Sequence, residues 1–309
     1  LEELSTPLMR YLNYLFSRLG KDGIMEIGLG DWCPPGVGEW QFKTPLAVTD
    51  TILTYDIAVK SAFVYEVLGQ QPQRQFALAL AERVKTAFRE KLLNKETGEI
   101  KGGTQTGQAM AIYYGMLTVE EKPKALKLLI KYIADEDGHF YTGVLGGRVI
   151  YRVLAENGYI DLAYNMIVRP DYPSYGNWIA RGATTLWEVF QPEGSDRIGS
   201  LNHHFWGDIS SWFTQALSGI RMAPHGEPNE VDFRPSFISR LTHAEAFHIA
   251  PAGRIASAWE RDEDDVIVLT VKLPSTMHGV IRLESGYVFE DDLAYKAAES
   301  GTYRIHSIE

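Results

Sequence analysis

Residues 50–69 read DTILTYDIAVKSAFVYEVLG, and their apolar side chains recur every three or four positions until the run closes on a glycine. This period predicts an amphipathic α-helix. Segments of the same kind cover 5–20, 73–93, 104–116, 119–135, 146–157, 159–168, 182–190 and 207–220. Ser5, Thr6 and Pro7 supply the start signal of the first, a capping hydroxyl followed by proline in the first turn. About nine helices without strands between them predict a helical domain over residues 1–222 and exclude a doubly wound sheet.

The pattern changes after residue 222. The stretch RMAPHGEPNEVDF at 221–233 is rich in proline, glycine and charge, which is typical of a linker. Segments that alternate apolar and polar residues follow at 237–250, 253–262, 265–274, 279–285 and 302–309. Alternation with β-branched residues between turn signals predicts strands. The fold class is therefore mainly α with an all-β tail, and residues 223–309 are expected to form an antiparallel sheet or sandwich.

The composition limits the classes of partner. The 309 residues are 45% apolar and 23% charged and carry a net charge of −10, without a long basic cluster. Nucleic acid and anionic membrane surfaces are therefore not expected as partners. The single cysteine, Cys33, excludes an internal disulfide and a cysteine metal cluster.

The sequence leaves localisation open. No apolar run reaches the length of a membrane span. The first residues, LEELSTPLMRYL, include no initiator methionine and no basic signal-peptide region, which suggests a piece of a longer chain. A periplasmic, secreted or cytoplasmic home is compatible with these features.

Long loops between the predicted helices carry the polar chemistry. They are rich in aromatic residues, glycine and carboxylates, and they cover 25–42, 135–147, 168–182 and 191–207. Long ordered loops are usually functional. If pairs of antiparallel helices form a ring, every second connection falls on the same rim, and these loops would converge on one cleft.

Glu188 is the most informative carboxylate. It follows Trp187 in the apolar stretch GATTLWEVF at 182–190, predicted above to be helical. A carboxylate against indole and aliphatic surface is costly unless it is paired or used. The alternative is that Glu188 points to solvent from a helix end.

Further candidates lie in the loops. Asp31 and Trp32 join a carboxylate to an indole, which suits a sugar hydroxyl and ring; Glu39 and Trp40 follow, and an Asx turn with a packed tryptophan is the alternative. Trp178 closes an aromatic stretch ahead of Glu188, and it either covers the core or forms a sugar-binding rim.

A second polar group lies at 202–206. Asn202, His203, His204 and Trp206 lie close together in the sequence, and a histidine among them suits a hydrogen bond to a substrate. Adjacent histidines do not easily chelate one ion, so no metal site is predicted.

These parts are those of a glycosidase, in which one carboxylic acid protonates the leaving oxygen and a second carboxylate acts as base or nucleophile. Motifs for dinucleotides, P-loops, nucleophile elbows and zinc proteases are absent from the sequence. A polysaccharide lyase and a non-catalytic sugar-binding protein stay open as alternatives. A glycosidase of this kind requires no cofactor.

Several motifs resemble those of the bacterial α-L-rhamnosidases, glycoside hydrolase family 78. The resemblance covers nearly the whole chain, and its carriers are GLGDW, QTGQAMAIYYGML, YPSYGNWIAR, GATTLWE and SLNHHFWGDISSWF. It implies an (α/α)6 barrel followed by a C-terminal β-sandwich. It also implies hydrolysis, with inversion, of terminal α-L-rhamnose from a glycoside or polysaccharide. Another (α/α)6 glycosidase stays open as an alternative.

The resemblance also implies roles for individual residues. Glu188 matches the general base that activates water, and His203 matches a histidine that contacts the sugar or that water. The remaining implied substrate-binding residues are Asp31 and Trp32 in the sugar subsite, Trp178 and Trp187 as its apolar wall, and Asn202.

One motif of the family is missing. The family's general acid lies in an acidic motif of the type DERLGWTGD, upstream of the GDW loop, and residues 1–30 contain no match. The chain is therefore expected to be an incomplete barrel that lacks the first helices and the general acid of its parent. Acid catalysis is commonly worth about 10²–10⁴-fold in rate, so the isolated chain should be poorly active or inactive.

Overall fold

The computed structural model describes residues 1–36, 42–195, 199–223 and 226–308, so the predicted candidates Glu39 and Trp40 lie outside the described residues. Within them, no helix is both long and apolar enough to cross a membrane. Their contacts divide the chain into two compact units. Unit 1 holds Leu1–Val153 and Met166–Trp206, and unit 2 holds Leu154–Asn165 and Gly207–Glu309. The boundary predicted at 222/223 stays a prediction, since the contacts assign 154–165 and 207–222 to unit 2.

The helices follow the predicted order with two exceptions. In the described residues they are α1 Glu2–Arg18, α2 Leu46–Val67, α3 Gln71–Lys91, α4 Gln105–Tyr113, α5 Lys122–Asp135, α6 Val144–Glu156, α7 Ile160–Val168, α8 Tyr175–Ala180 and α9 Asp208–Trp212, with a π-helical turn at Phe213–Leu217. Helix α2 packs along α3 through small residues, among them Ala58, Ala62 and Ala77, which are at most 4% exposed. Leu12 of α1 completes this core, and burial of such a side chain contributes about 1.5–3 kcal/mol.

The predicted start of the first helix is wrong. Helix α1 begins at Glu2, and Pro7 lies inside it. Ser5 is not a cap, because its hydroxyl donates to Gln70 Oε1 at 2.5 Å. The signal that the sequence offered instead is the pair Glu2 and Glu3, since acidic residues in a first turn stabilise a helix N-terminus.

The predicted helix at 182–190 is also wrong. A short helix, α8, lies before it instead, and its N-terminus is capped by Ser174 Oγ, which accepts from Asn177 N at 2.8 Å. Gly182 then takes φ +83°, which ends the helical course. The backbone of the following segment bonds to residues 200–203 rather than to itself, as Glu188 N donates to Ser200 O and His203 N to Leu186 O, both at 2.8 Å.

The described residues of unit 2 form two sheets. The strands are β1 Ile220–Met222, β2 Glu230–Phe233, β3 His243–Ala250, β4 Gly253–Arg261, β5 Ile267–Lys272, β6 His278–Arg282, β7 Tyr287–Phe289, β8 Tyr295–Ala297 and β9 Gly301–Ser307. One sheet has the order β1-β2-β6-β8 and the other β3-β4-β5-β9-β7. Side chains of both, including Phe233, Ile281, Trp259 and Leu269, share one hydrophobic core, as in a sandwich.

Two features of these sheets differ from the sequence prediction. The predicted linker 221–233 contributes to β1 and forms β2, because Val231 and Phe233 are buried in the core. Strand β2 pairs with β6 in parallel, so the first sheet is mixed, whereas the second is antiparallel throughout. Short strands such as β7 and β8, of three residues each, are too brief for a period-2 pattern to reveal.

Candidate functional site

Glu188 is held by the backbone of the segment opposite. Its own N–H donates to Ser200 O, and Ser200 N donates back to Glu188 Oε2, each at 2.8 Å. The residue is partly buried. In the described part of the chain no hydrogen-bond donor meets Oε1, so one carboxylate oxygen is fixed and the other is open to a water molecule or a substrate hydroxyl.

Trp206 binds the main chain of Glu188. Its indole Nε1–H donates to Glu188 O at 2.9 Å, and the side chain is 2% exposed. The ring meets Phe190 edge-on with centroids 4.9 Å apart and Phe140 at 6.0 Å. Gly147 of α6 lies against this indole, since a Cβ added there would stand 2.6 Å from Cζ3. Trp206, Phe190 and Phe140 thus form a buried cluster of rings, which we call the aromatic floor. The main chain of Glu188 is bonded to this aromatic floor.

His203 lies in the segment that pairs with the Glu188 segment. Its Nδ1 accepts a hydrogen bond from Phe205 N at 3.3 Å. This bond requires a lone pair on Nδ1, so the neutral ring carries its proton on Nε2, where it can donate to a substrate. The His204 ring stacks on it at 5.2 Å, and Asn202 is exposed beside it.

Asp31 is buried at the N-terminus of α6. The side chain is 1% exposed, and its Oδ2 accepts from Thr106 Oγ1 at 2.5 Å and from Gly143 N at 2.6 Å. Its Oδ1 accepts from Gly146 N at 2.9 Å. Burial raises the pKa of Asp31, and the Thr106 hydroxyl and the backbone amides oppose that rise. The structure gives this carboxylate a capping function, and its predicted contact with a sugar stays a prediction.

The tryptophans predicted to bind substrate differ in exposure. Trp178 is 2% exposed and stacks on Phe190 with centroids 3.9 Å apart, so it belongs to the aromatic floor. Trp187 is partly buried, and the guanidinium of Arg181 lies 5.2 Å from its ring centroid. Trp32 is also partly buried, next to Phe42. Trp32 and Trp187 therefore keep surface that a ligand can reach, and Trp178 contributes mainly support.

The loops around these residues contact one another within unit 1. The bonds of Asp31 to Gly143 and Gly146 join the first loop to the second. Arg169 joins the second loop to the third, because its Nη1 donates to Asp137 O at 2.6 Å. Arg169 also makes two 2.7 Å bonds to Asp171, which lower the pKa of that carboxyl to about 2.

Sequence reasoning missed the residues that support the site. Ser200 acts through its backbone N–H, which no side-chain pattern reveals. Gly147 matters only because an indole packs on it, although its place beside Gly146 in a predicted helix was a signal, since glycine is unfavourable there. Thr106, which binds Asp31, is 75 residues away along the chain. Among the described residues, no three His, Cys, Asp or Glu side chains are grouped so as to hold a metal ion.

The fold, helices followed by a β-rich unit, is shared with solved α-L-rhamnosidase structures. The solved structure of the α-L-rhamnosidase from Dictyoglumus thermophilum superposes with a TM-score of 0.86 at 25% identity, over 98% of this chain and 37% of that one. The Streptomyces avermitilis α-L-rhamnosidase complexed with L-rhamnose gives a TM-score of 0.85 at 24% identity, over 98% of this chain and 30% of that one, which shows the shared fold. The predicted class, helices followed by a β domain, is confirmed.

The chain belongs to the bacterial α-L-rhamnosidases. The profile of the bacterial α-L-rhamnosidase six-hairpin glycosidase domain matches residues 1–217, and that of the bacterial α-L-rhamnosidase C-terminal domain matches 229–286. An α-L-rhamnosidase from Formosa agariphila is 31% identical over 267 residues, which are 83% of this chain and 28% of that protein. The chain thus spans less than a third of the length of this relative.

Proposed function

We propose that this chain supplies the general base and part of the sugar-binding cleft of an inverting α-L-rhamnosidase. The observation that carries the proposal is the Glu188 carboxylate, with Oε2 fixed by Ser200 N and Oε1 open. The names of the relatives point to rhamnosides as substrates. The Glu188 carboxylate and the partly buried rings of Trp32 and Trp187 suit a neutral sugar.

The proposed reaction moves one proton through Glu188. Oε1 takes a proton from a water molecule while the water oxygen bonds to the anomeric carbon, on the face opposite the aglycone. The glycosidic C–O bond breaks, and the leaving oxygen takes a proton from a general acid. His203 Nε2–H donates to a sugar hydroxyl or to the attacking water, and Trp32 and Trp187 supply apolar surface for the ring.

The general acid comes from residues outside this sequence. No part of residues 1–30 matches the acidic motif that the family resemblance requires, and the relatives are more than three times as long as the matched region. The 309-residue chain alone is therefore expected to hydrolyse rhamnosides poorly. A sugar-binding protein without catalysis is the competing function, and it predicts rhamnose binding without turnover in every form of the protein.

Release of p-nitrophenol from p-nitrophenyl α-L-rhamnopyranoside tests the proposal. The assay is run on the 309-residue chain and on the full-length gene product, each with and without Glu188→Gln. Glutamine can keep its carbonyl oxygen on Ser200 N, so the loop should hold its shape while the base is lost. The full-length protein should lose about 10²–10⁴-fold in kcat, the usual contribution of a general base. Glu193→Gln, in the exposed part of the same loop, is the matched control and should leave kcat unchanged.

Two further readings complete the test. Proton NMR of the first-formed sugar should show β-rhamnose, whereas α-rhamnose would refute inversion. Full activity of the Glu188→Gln protein would remove Glu188 from the reaction. If no form hydrolyses the substrate but calorimetry shows binding of L-rhamnose, the binding function replaces the hydrolase.

A further inference from the structure

We propose that Trp206 is a positioning residue that sets the place of the catalytic carboxylate through its hydrogen bond to the Glu188 backbone. The inference rests on the proposed function, in which Glu188 is the base. It assigns to a buried tryptophan a role in the chemical step rather than in substrate contact.

Trp206 acts on the backbone of Glu188. Its indole donates to the carbonyl of Glu188, not to the carboxylate, at 2.9 Å. The N–H of Glu188 is engaged by Ser200 O and its Oε2 by Ser200 N. Both backbone polar groups of Glu188 are therefore hydrogen-bonded, the N–H to Ser200 and the carbonyl to Trp206. The position of the Cα atom that carries the side chain is fixed as a result.

Trp206 is itself immobilised. Its carbonyl accepts from the Tyr175 hydroxyl at 3.2 Å, so α8 holds the main chain while the indole is packed in the core. On the side of α6, only a hydrogen at Gly147 leaves room for the ring. Buried aromatic rings in a close-packed cluster have one position, because protein interiors leave few voids.

Asp31 is connected to this support through the start of α6. Asp31 binds the N–H groups of Gly143 and Gly146 at the start of α6. Gly146 directly precedes Gly147 in the chain. A continuous set of contacts therefore runs from Asp31 through the first turn of α6 to Trp206 and on to Glu188. This arrangement explains why a buried aspartate and a buried tryptophan accompany one partly exposed base: they fix the geometry that the base needs.

The magnitude follows from the sensitivity of catalysis to geometry. A misplacement of about 1 Å can cost about 10²-fold in rate without loss of substrate contacts. Trp206→Phe keeps a ring in the cluster and removes the donor. We therefore expect a fall of about ten- to a hundredfold in kcat, with KM for the nitrophenyl rhamnoside changed by less than about twofold.

Trp259→Phe is the matched control. Trp259 is fully buried in unit 2, and its Nε1 also donates to a main-chain carbonyl, that of Leu217, at 2.8 Å. Both variants lose one indole and one hydrogen bond to a main-chain carbonyl, so both should lower the melting temperature to a similar extent. Only Trp206→Phe should lower kcat.

Gly147→Ala tests the same contact without removing the indole. Alanine is more favourable than glycine in a helix, so α6 should persist, while the new Cβ displaces the ring. We expect the same pattern, a reduced kcat at nearly constant KM.

The experiments are run on the full-length gene product, with Glu188→Gln alongside. The proposal is supported if Glu188→Gln abolishes turnover and both Trp206→Phe and Gly147→Ala lower kcat selectively. It is overturned, while the proposed function stands, if Glu188→Gln is inactive but Trp206→Phe matches Trp259→Phe in kcat. A Trp206→Phe protein that raises KM at unchanged kcat would also overturn it. An active Glu188→Gln protein would refute the proposed function itself, and the positioning role with it.

Discussion

Replacement of Asp31 by asparagine separates a structural carboxylate from one that binds sugar. The carboxylate accepts from Thr106, Gly143 and Gly146. Asparagine has one oxygen. If that oxygen takes the Oδ2 position, the amide group faces Gly146 N–H; if it takes the Oδ1 position, the amide faces Gly143 N–H, and only the Thr106 hydroxyl can turn to accept.

The structure allows the cost to be worked out. Either orientation leaves one buried backbone N–H without an acceptor, which costs about 1–3 kcal/mol. Loss of the negative charge at the start of α6 adds about 0.3–1 kcal/mol. Relief of the burial of that charge acts in the opposite direction. We therefore expect Asp31→Asn to lower the free energy of unfolding by about 1–3 kcal/mol at neutral pH.

The pH dependence follows from the direction of the shift. Because the folded state raises the pKa of Asp31, it binds the proton more tightly than the unfolded chain does. The pH-dependent part of the contribution of Asp31 to stability is therefore fully present below the unfolded value of 3.8 and is lost as pH rises through the folded pKa, which leaves the hydrogen bonds counted above at neutral pH. Asparagine does not titrate, so the stability difference between the two proteins should narrow as pH rises over this window.

Urea unfolding followed by circular dichroism at 222 nm measures the effect. Asp22→Asn is the control, because Asp22 is exposed and binds Ile24 N at 3.3 Å through one oxygen that asparagine retains. An Asp31→Asn protein with unchanged stability but weakened binding of L-rhamnose would refute the capping role and favour the sugar subsite.

Two further perturbations test ion pairs of the helical unit. Glu121→Ala should destabilise by about 3–5 kcal/mol, because Glu121 is 7% exposed and its removal leaves the Arg89 guanidinium, bonded to it at 2.5 and 2.9 Å, without its partner; a loss below 1 kcal/mol in urea unfolding would contradict this. Asp171→Asn should reduce the loss of stability at acid pH. The pKa of Asp171 is lowered from 3.8 to about 2, so the stability gained from its pair with Arg169 is lost as pH falls through that range. Thermal melts between pH 2 and 5 measure it, and an unchanged loss of stability would exclude the pair.

Most helices could be predicted from the sequence because apolar residues recur at helical spacing over long segments. In helix α3, for example, the buried residues Ala77, Leu80 and Ala81 recur at three- and four-residue spacing, which leaves little ambiguity. The stretch at 182–190 failed for the opposite reason. Its apolar residues fill the aromatic floor from an irregular backbone, and the partner of that backbone, Ser200, is visible only in three dimensions.

The candidate site was predictable as a set of loops but not as an arrangement. The motifs propose Glu188 and His203 as candidates, but the support of Glu188 depends on a backbone amide and on a glycine that packs against Trp206. The position of Trp178 could not be predicted, because a tryptophan in a segment predicted to be a loop can face either a ligand or the core. Strand β2 shows the limit of local pattern, since its partner β6 lies about 50 residues further on.

The chain passes between the two units three times, after Val153, after Asn165 and after Trp206. The segment 154–165 is bound within unit 2, where Glu156 pairs with Arg221 at 3.0 Å and Asn165 accepts from Arg240 at 2.8 Å. A single genetic crossover therefore cannot exchange the β-rich unit as a block. A recombinant that took only the residues from 207 onward from a relative would keep its own segment 154–165 against the relative's strands. The two stretches must therefore be exchanged together if these contacts are to be kept.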